Sequence, residues 1–504
     1  MAKKTRLAAL FCVLALLLSG CGSRPTGVSP DAIAMPEPSP EPERMILGER
    51  LPARLTNISL YYPMADGAGF STVALGVRED DGKSLAEAAV NALLSPASGN
   101  TARVAPADTR LLSCEYACGI ATVNLSLDAL NTQGEQALMA LTAAIGNTLL
   151  GIDGVRGVNV LIGGQSERFG QLPAGVQTEV IPSVTAAYAQ ILAEGDRLAN
   201  EGGLPATRAA TLYFPTDEGR WLVPELREVT FQSGDFTGAL LDALKAGPED
   251  EACAVASIPA GVELLEDASG IETLSSGERV LTLSFSANLA NYLVFSGLEE
   301  WELLGSVALT VCSFLPELDA VRIRVGDELI VKCALGDTTI TFEDGLIRRQ
   351  DFASRIGSVA TLYLAAQDGT LQALRRAVSM RSALSPRSLI SELFDYAGST
   401  GALSFPVPET VYASDILGIQ VDGQIARVNL SGNFYRGCQL LEAVAERALI
   451  YCVVDTLCAL DEISAVRFYV EGVSADSLVG TVYLKRPLMA NPGIIAVPQE
   501  TGEP

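Results

Sequence analysis

Apolar and polar positions along the chain change period in the same order three times. Each round opens on a short alternating run: Leu60-Tyr61-Tyr62-Pro63, Leu212-Tyr213-Phe214-Pro215 and Leu362-Tyr363-Leu364-Ala365. Each run meets an acidic-glycine step (Asp66-Gly67, Glu218-Gly219, Asp368-Gly369) and a second alternating run ending near Arg78, Arg227 and Arg375. Glycine accepts the positive φ of a tight turn, so the pattern predicts a β-hairpin in each round. The period then lengthens to that of a helix. Ser84 and Glu87 form a capping box ahead of Leu85, Ala89, Ala92 and Leu93. Phe236, Ala239, Leu240, Ala243 and Leu244 make the second stripe, stopped by Gly247-Pro248. In the third, Ser385-Pro386 starts a helix carrying Leu389, Ile390, Leu393 and Phe394.

A strand pair follows, with a recurring end: Val123-Asn124-Leu125-Ser126, Leu281-Thr282-Leu283-Ser284 and Val428-Asn429-Leu430-Ser431. The repeated serine reads as a cap at a strand end. A longer and almost wholly apolar helix leads to a last strand at 157–162, 320–325 and 465–470. In the third round Leu440, Leu441, Val444, Leu449, Ile450, Val453, Val454 and Leu457 leave it little polar face, so this second helix is expected to be the more buried. Tyr61, Tyr213 and Tyr363 are about 150 residues apart, which is the size of a domain. The order strand-strand-helix-strand-strand-helix-strand predicts an α+β unit in which two helices cover one face of a small mixed sheet. Repeats are expected at 57–180, 208–340 and 358–493, with connectors at 181–207 and 341–357 and a tail at 494–504. The first connector predicts a helix over Ser183–Asn200. The second carries Glu343-Asp344-Gly345 and Arg348-Arg349, polar enough to cross a surface.

The start of the chain has another logic. Lys3, Lys4 and Arg6 precede an apolar run from Leu7 to Leu18, too short for an ordinary membrane span, ending in Leu18-Ser19-Gly20-Cys21. This resembles a bacterial lipobox. It implies a signal peptide over 1–20, cleavage between Gly20 and Cys21, and lipidation of Cys21, with the chain held on the outer face of a cell membrane. Residues 21–50, with Pro25, Pro30, Pro36, Pro38, Pro40 and Pro42, read as an extended tether.

Composition then narrows the chemistry. Across 504 residues there are 35 Lys plus Arg against 60 Asp plus Glu, and no histidine. A net charge of −25 argues against nucleic acid and against a basic patch on anionic lipid. Without histidine there is no Ser-His-Asp or Cys-His site and no His-ligated zinc. Once Cys12 and Cys21 are set aside, eight cysteines remain, with no framework spacing. Cys114 and Cys118 could flank a turn, but lack the redox Cys-x-x-Cys gap. Cys312 aligns with Leu149 and Leu457 and reads as core, while Cys452 and Cys458 face different ways on one helix. The acidic runs Glu79-Asp80-Asp81 and Glu249-Asp250-Glu251 read as helix starts or solvated loops. No catalytic, metal or cofactor residue is assigned.

The openings, the Leu-Lys-Ala-Gly-Pro helix end at 244–248 and the Val-Asn-Leu-Ser strand ends are similar to the GerMN domain of sporulation and spore germination lipoproteins. So is the closing Pro487-Leu488-Met489-Ala490-Asn491-Pro492. The likeness covers nearly all of the chain after the tether. It implies three tandem GerMN domains, a ring-building-motif-like fold, and an assembly role outside the cytoplasm through protein–protein contacts. Extracytoplasmic sporulation or envelope proteins, or further copies, would be its partners. A carboxylate-dependent envelope hydrolase and an envelope signalling accessory are the alternatives. A hydrolase requires a cleft with converging carboxylates in one copy, whereas an assembly module requires repeated docking faces.

Overall fold

A computed structural model describes residues 55–64, 66–78, 84–95, 103–200, 205–232, 235–265 and 269–496, all within the body Arg44–Pro504. Gly20, Cys21, the tether, Glu79-Asp80-Asp81 and the end of the tail from 497 lie outside the described residues.

The first repeat runs β1 (Leu55–Pro63), β2 (Phe70–Arg78), α1 (Leu85–Leu94), β3 (Leu111–Ala117), β4 (Ile120–Leu125), α2 (Glu135–Leu150), β5 (Gly157–Ile162) and β6 (Gln165–Ser166). A small hairpin, β7 (Arg168–Phe169) with β8 (Leu172–Pro173), and α3 (Val184–Asn200) lead to the second repeat. That repeat has β9 (Pro205–Pro215), β10 (Leu222–Gln232), α4 (Phe236–Ala246), β11 (Gly270–Thr273), β12 (Arg279–Phe285), α5 (Leu289–Ser296), α6 (Glu300–Phe314), β13 (Ala320–Val325) and β14 (Glu328–Leu329). A hairpin of β15 (Lys332–Leu335) and β16 (Thr338–Thr341) and the short α7 (Arg349–Phe352) connect onward. The third repeat has β17 (Gly357–Ala366), β18 (Leu371–Ser379), α8 (Met380–Leu384), α9 (Pro386–Leu393), β19 (Leu403–Ser404), β20 (Ile416–Asp422), β21 (Ile425–Leu430), α10 (Gly432–Cys438), α11 (Ala443–Cys458), β22 (Ala465–Val470) and β23 (Val473–Ser474).

The fold is α+β, and the same mixed sheet is built three times. In the first repeat the order is β3-β4-β5-β6, with β4 and β5 parallel and both outer pairs antiparallel. Strands β11 to β14 and β20 to β23 repeat this pattern. The opening hairpins form separate ladders beside these sheets. Each hairpin's first strand packs on the long helix, α2, α6 or α11, which in turn packs on the sheet. A helix enclosed in this way needs apolar side chains on most of its circumference. In α6 every residue from Trp301 to Phe314 is buried. Local signals act as the sequence implies: Ser84, Asp235 and Ser385 accept from the amides of Glu87, Gly238 and Ser388. Gly67, Gly219 and Gly369 take positive φ at the three hairpin turns.

Three expectations change. The strand end of the second repeat is Leu283-Ser284-Phe285-Ser286, two residues beyond the expected Leu281-Thr282-Leu283-Ser284. The register shows this, because Phe285 closes its parallel pair against Val325 as Leu125 does against Ile162 and Leu430 against Val470. Leu440 and Val444 are 93% and 47% exposed, because α10 ends at Cys438 and the long helix begins only after Glu442. The second connector is not a surface crossing. Ile347, Phe352 and Ile356 are buried in the core of the second repeat, beside Trp301, Phe314 and Leu222. That core also takes in Ala117 of the first repeat and Ala377 of the third.

Candidate functional site

The strongest polar constellation among the described residues lies where the repeats meet. Strand β3 of the first repeat brings Glu115, β9 of the second brings Tyr213, the end of α6 brings Ser313, and the connector brings Arg349. The Arg349 guanidinium forks onto Glu115, with Nη1 donating to Oε1 at 2.9 Å and Nη2 donating to Oε2. Nε donates to Ser313 Oγ at 2.9 Å, and Nη2 also donates to Tyr213 Oη at 3.2 Å. Burial opposes the charge on Arg349, but Tyr213 and Glu115 outweigh it and hold the group more strongly protonated than usual. Burial likewise pushes the Tyr213 phenol up. Arg349 is thereby locked as a cation and Tyr213 as a neutral phenol. It is a buried clasp. Asn159 Nδ2 donating to the Ser313 carbonyl at 3.1 Å, and Cys118 N donating to Ser358 Oγ at 3.1 Å, extend the junction.

One cleft has a different character. Met139, Val158, Val160, Phe169, Ile181 and Ile191 line a space of about 570 Å³ in the first repeat, part of it open to solvent. Glu167 lies on its wall. Burial, with Glu317 adding, pushes its carboxyl up to about 7. A general acid of that strength would need a second free carboxylate for hydrolysis. Glu317 is held by Arg168 at 3.2 Å and Arg279 at 2.9 Å. Glu302 and Asp455 also titrate high, at about 7 and about 6, through burial. Both are tied into backbone: Glu302 accepts from Glu299 N and Asp455 from Asn491 N.

The cysteines Cys114, Cys118, Cys253, Cys312, Cys333, Cys438, Cys452 and Cys458 are free thiols. Cys114 and Cys118 lie along one hairpin, Cys118 at its two-residue turn with φ of 50°. Burial pushes Cys114, Cys312 and Cys438 up to about 12, so they are poor nucleophiles. No group of three or more Cys, Asp or Glu side chains able to hold a metal is present among the described residues. None of the described helices is long and apolar enough to cross a membrane.

Two repeated contacts escaped the sequence reading. Thr148, Thr310 and Thr456, each on a long helix, accept from the amides of Tyr61, Tyr213 and Tyr363 at 3.0, 3.1 and 2.9 Å. This alignment puts Cys312 level with Leu150 and Cys458, one position from where the final strands would set it. The asparagines of the recurring strand ends also have a task. Asn124 Oδ1 accepts from Gly164 N, and Asn429 Oδ1 from Gly472 N, both at 2.8 Å, pinning the turn after the last strand.

The profile of a sporulation and spore germination family matches this chain at residues 59–168, 211–330 and 361–476. Among solved structures, the chain is similar to the tandem GerMN domains of the sporulation protein GerM from Bacillus subtilis, at 16% identity and a TM-score of 0.24. That alignment covers 57% of this chain and 99% of the other. The first GerMN domain of the same protein aligns at 21% identity and a TM-score of 0.22, covering 28% of this chain and 98% of that one. A putative lipoprotein from Clostridium perfringens aligns at 22% identity and a TM-score of 0.18, covering 26% and 93%. No curated protein matches.

Proposed function

The chain belongs to the sporulation and spore germination family, matched in all three repeats, and on that premise we propose that it is a lipid-anchored, extracytoplasmic assembly protein. Three domains of one type multiply docking surface, whereas a catalytic centre gains little from repetition. The observation that carries the reading is the clasp of Glu115, Tyr213 and Arg349, which joins the first repeat, the second and the connector. A buried, bidentate ion pair suits rigid positioning of neighbouring surfaces. The hydrolase alternative finds little support. The Glu167 cleft supplies one high-pKa acid, and the nearby Glu317 is occupied by two arginines.

In this reading an acyl group on Cys21 and the proline-rich stretch behind it hold the repeats at a membrane surface, where local concentration favours weak contacts. The partners are extracytoplasmic proteins or further copies. The test is deletion in a sporulating strain, complemented by the wild type and by Cys21→Ser. Impaired spores rescued only by the wild type support the anchored role. Normal spores and normal germination in the deletion strain remove it.

A further inference from the structure

Resting on the assembly reading, we propose that strand β2 of the first repeat is a self-pairing edge, through which a second copy of this chain docks antiparallel to it. The three hairpins can be compared position by position, because each opening tyrosine faces a known partner: Tyr61 opposite Thr72, Tyr213 opposite Pro224, Tyr363 opposite Ala373. In the second and third repeats the outer strand is guarded. Ile356 bridges Leu222 in parallel at the start of β10, and Ile495 does the same to Leu371 in β18. The residue facing Ala210 is Arg227, which donates to the Gly247 carbonyl at 3.0 Å and pairs with Glu225. Its counterpart facing Ala360 is Arg376, held by Glu218 at 3.2 Å and Asp395 at 3.0 Å. Proline, charge and covering chain are the usual protections of an edge.

Among the described residues, the first repeat lacks them. Its counterpart residue, facing Ile58, is Leu75, and from Phe70 to Val77 the strand carries no charge and no proline. Residues 71–76 are all exposed, with Val73 and Leu75 at 39% and 42%. An uncharged, exposed edge of this length is an open template for another strand.

The backbone polarity of that edge follows from one hydrogen bond. The Tyr61 amide is committed to Thr148, so Tyr61 and Thr72 form a pair without ladder bonds. Thr72, Ala74 and Gly76 therefore turn their N–H and C=O groups outward. A two-fold axis through Ala74 brings Ala74 opposite its twin, and Thr72 opposite the twin of Gly76. That register makes about six inter-chain backbone hydrogen bonds. It also brings Val73 opposite the second copy's Leu75, so four apolar side chains close over the face that overhangs the helices. Two strands without charge meet here with no local repulsion, although each chain carries −25 overall. The contact is smaller than the roughly 1,200 Å² typical of stable complexes, so the pairing is weak in solution.

Sedimentation equilibrium of the purified full-length protein in non-ionic detergent, over the micromolar to millimolar range, tests this. The expected result is a reversible dimer that tightens as salt screens the net charge. Ala74→Pro, which removes an outward donor, and Leu75→Lys, which charges the edge, should each weaken it by about tenfold or more, equivalent to about 1.4 kcal/mol. Thermal unfolding of both variants checks that the hairpin still folds. A monomer throughout the range, or a dimer indifferent to Leu75→Lys in a folded protein, overturns the proposal. If the deletion strain still makes defective spores, that result removes only self-pairing and leaves assembly with another protein standing.

Discussion

The hydroxyl of Thr310, on the long helix of the second repeat, accepts from the backbone amide of Tyr213 at 3.1 Å, and both residues are buried. The same bond recurs from Thr148 to Tyr61 and from Thr456 to Tyr363. An amide on the open side of a hairpin's first strand has no ladder partner, and burying it unpaired costs about 1–3 kcal/mol. The threonine satisfies that donor and fixes the helix against the strand in register.

Thr310→Val keeps the shape and removes the acceptor, so it should destabilise the protein by about 1–3 kcal/mol, while Thr310→Ser recovers most of the loss. Urea titration followed by tryptophan fluorescence reports it, since Trp301 lies on the same helix. A valine variant as stable as the wild type would show that water or another group reaches the Tyr213 amide.

The Arg349–Glu115 pair allows a sharper test. Removing one partner leaves a buried charge uncompensated, and Arg349→Met alone should cost about 3–5 kcal/mol. Combining it with Glu115→Gln should recover a large part of that, because the stranded carboxylate is gone. A double-mutant cycle by chemical denaturation measures the coupling. Additive losses would mean that the two side chains act separately.

Much of this architecture was legible in the sequence, and the exceptions share a physical cause. Hairpins, caps and long helices depend on neighbours along the chain, so Gly67, Ser385 and the apolar run of α11 announce them. Arg348-Arg349 reads as solvated because nothing local shows that Glu115, more than two hundred residues earlier, waits to receive a guanidinium. The two-residue slip at Leu281 to Ser284 arose because Leu-Thr-Leu-Ser and Leu-Ser-Phe-Ser alternate equally well. Only pairing with β13 decides between them. The open edge at β2 was hidden for a related reason. Exposure of Val73 and Leu75 depends on which repeat has a neighbour, and the repeats are locally alike.

Glu302 and Glu167 give the stability a pH signature. Burial raises both carboxyls from the ordinary 4.5 to about 7. A raised pKa means that the folded state holds the proton more tightly than the unfolded chain. Their contribution is complete below the unfolded pKa and is lost as pH rises through about 7. Glu446 acts in the opposite sense. Burial tends to raise its pKa, but three backbone amides at Leu478, Val479 and Thr481 outweigh this and lower it. Its contribution is therefore lost on acidification below the ordinary carboxylate range. Stability should peak near the ordinary carboxylate pKa of 4.5 and fall as pH rises from there to about 7. Glu302→Gln should flatten that fall, and melting temperatures across the range would read it. An unchanged slope in the glutamine variant would place the titration elsewhere.

The second repeat should not fold as the fragment 208–340. Its core is completed from outside those limits by Ile347, Phe352 and Ile356, each 2% exposed or less. Phe352 also packs against Gly305, whose lack of a side chain lets the ring approach α6. Cutting at 340 exposes this apolar surface and strips Tyr213 of Arg349, leaving a loosely packed species prone to aggregate. Extending the fragment to 205–357 restores these three residues and the whole of β9. Comparing the two by urea denaturation and dye binding should give a cooperative transition only for the longer one. In the intact protein the same packing directs trypsin. Arg197, exposed on α3, should be cut before Arg348 or Arg349, because cleavage at the latter pair requires the connector to leave the core. Early cleavage at Arg349 would mean that the connector detaches readily and that Phe352 is not part of the folding unit.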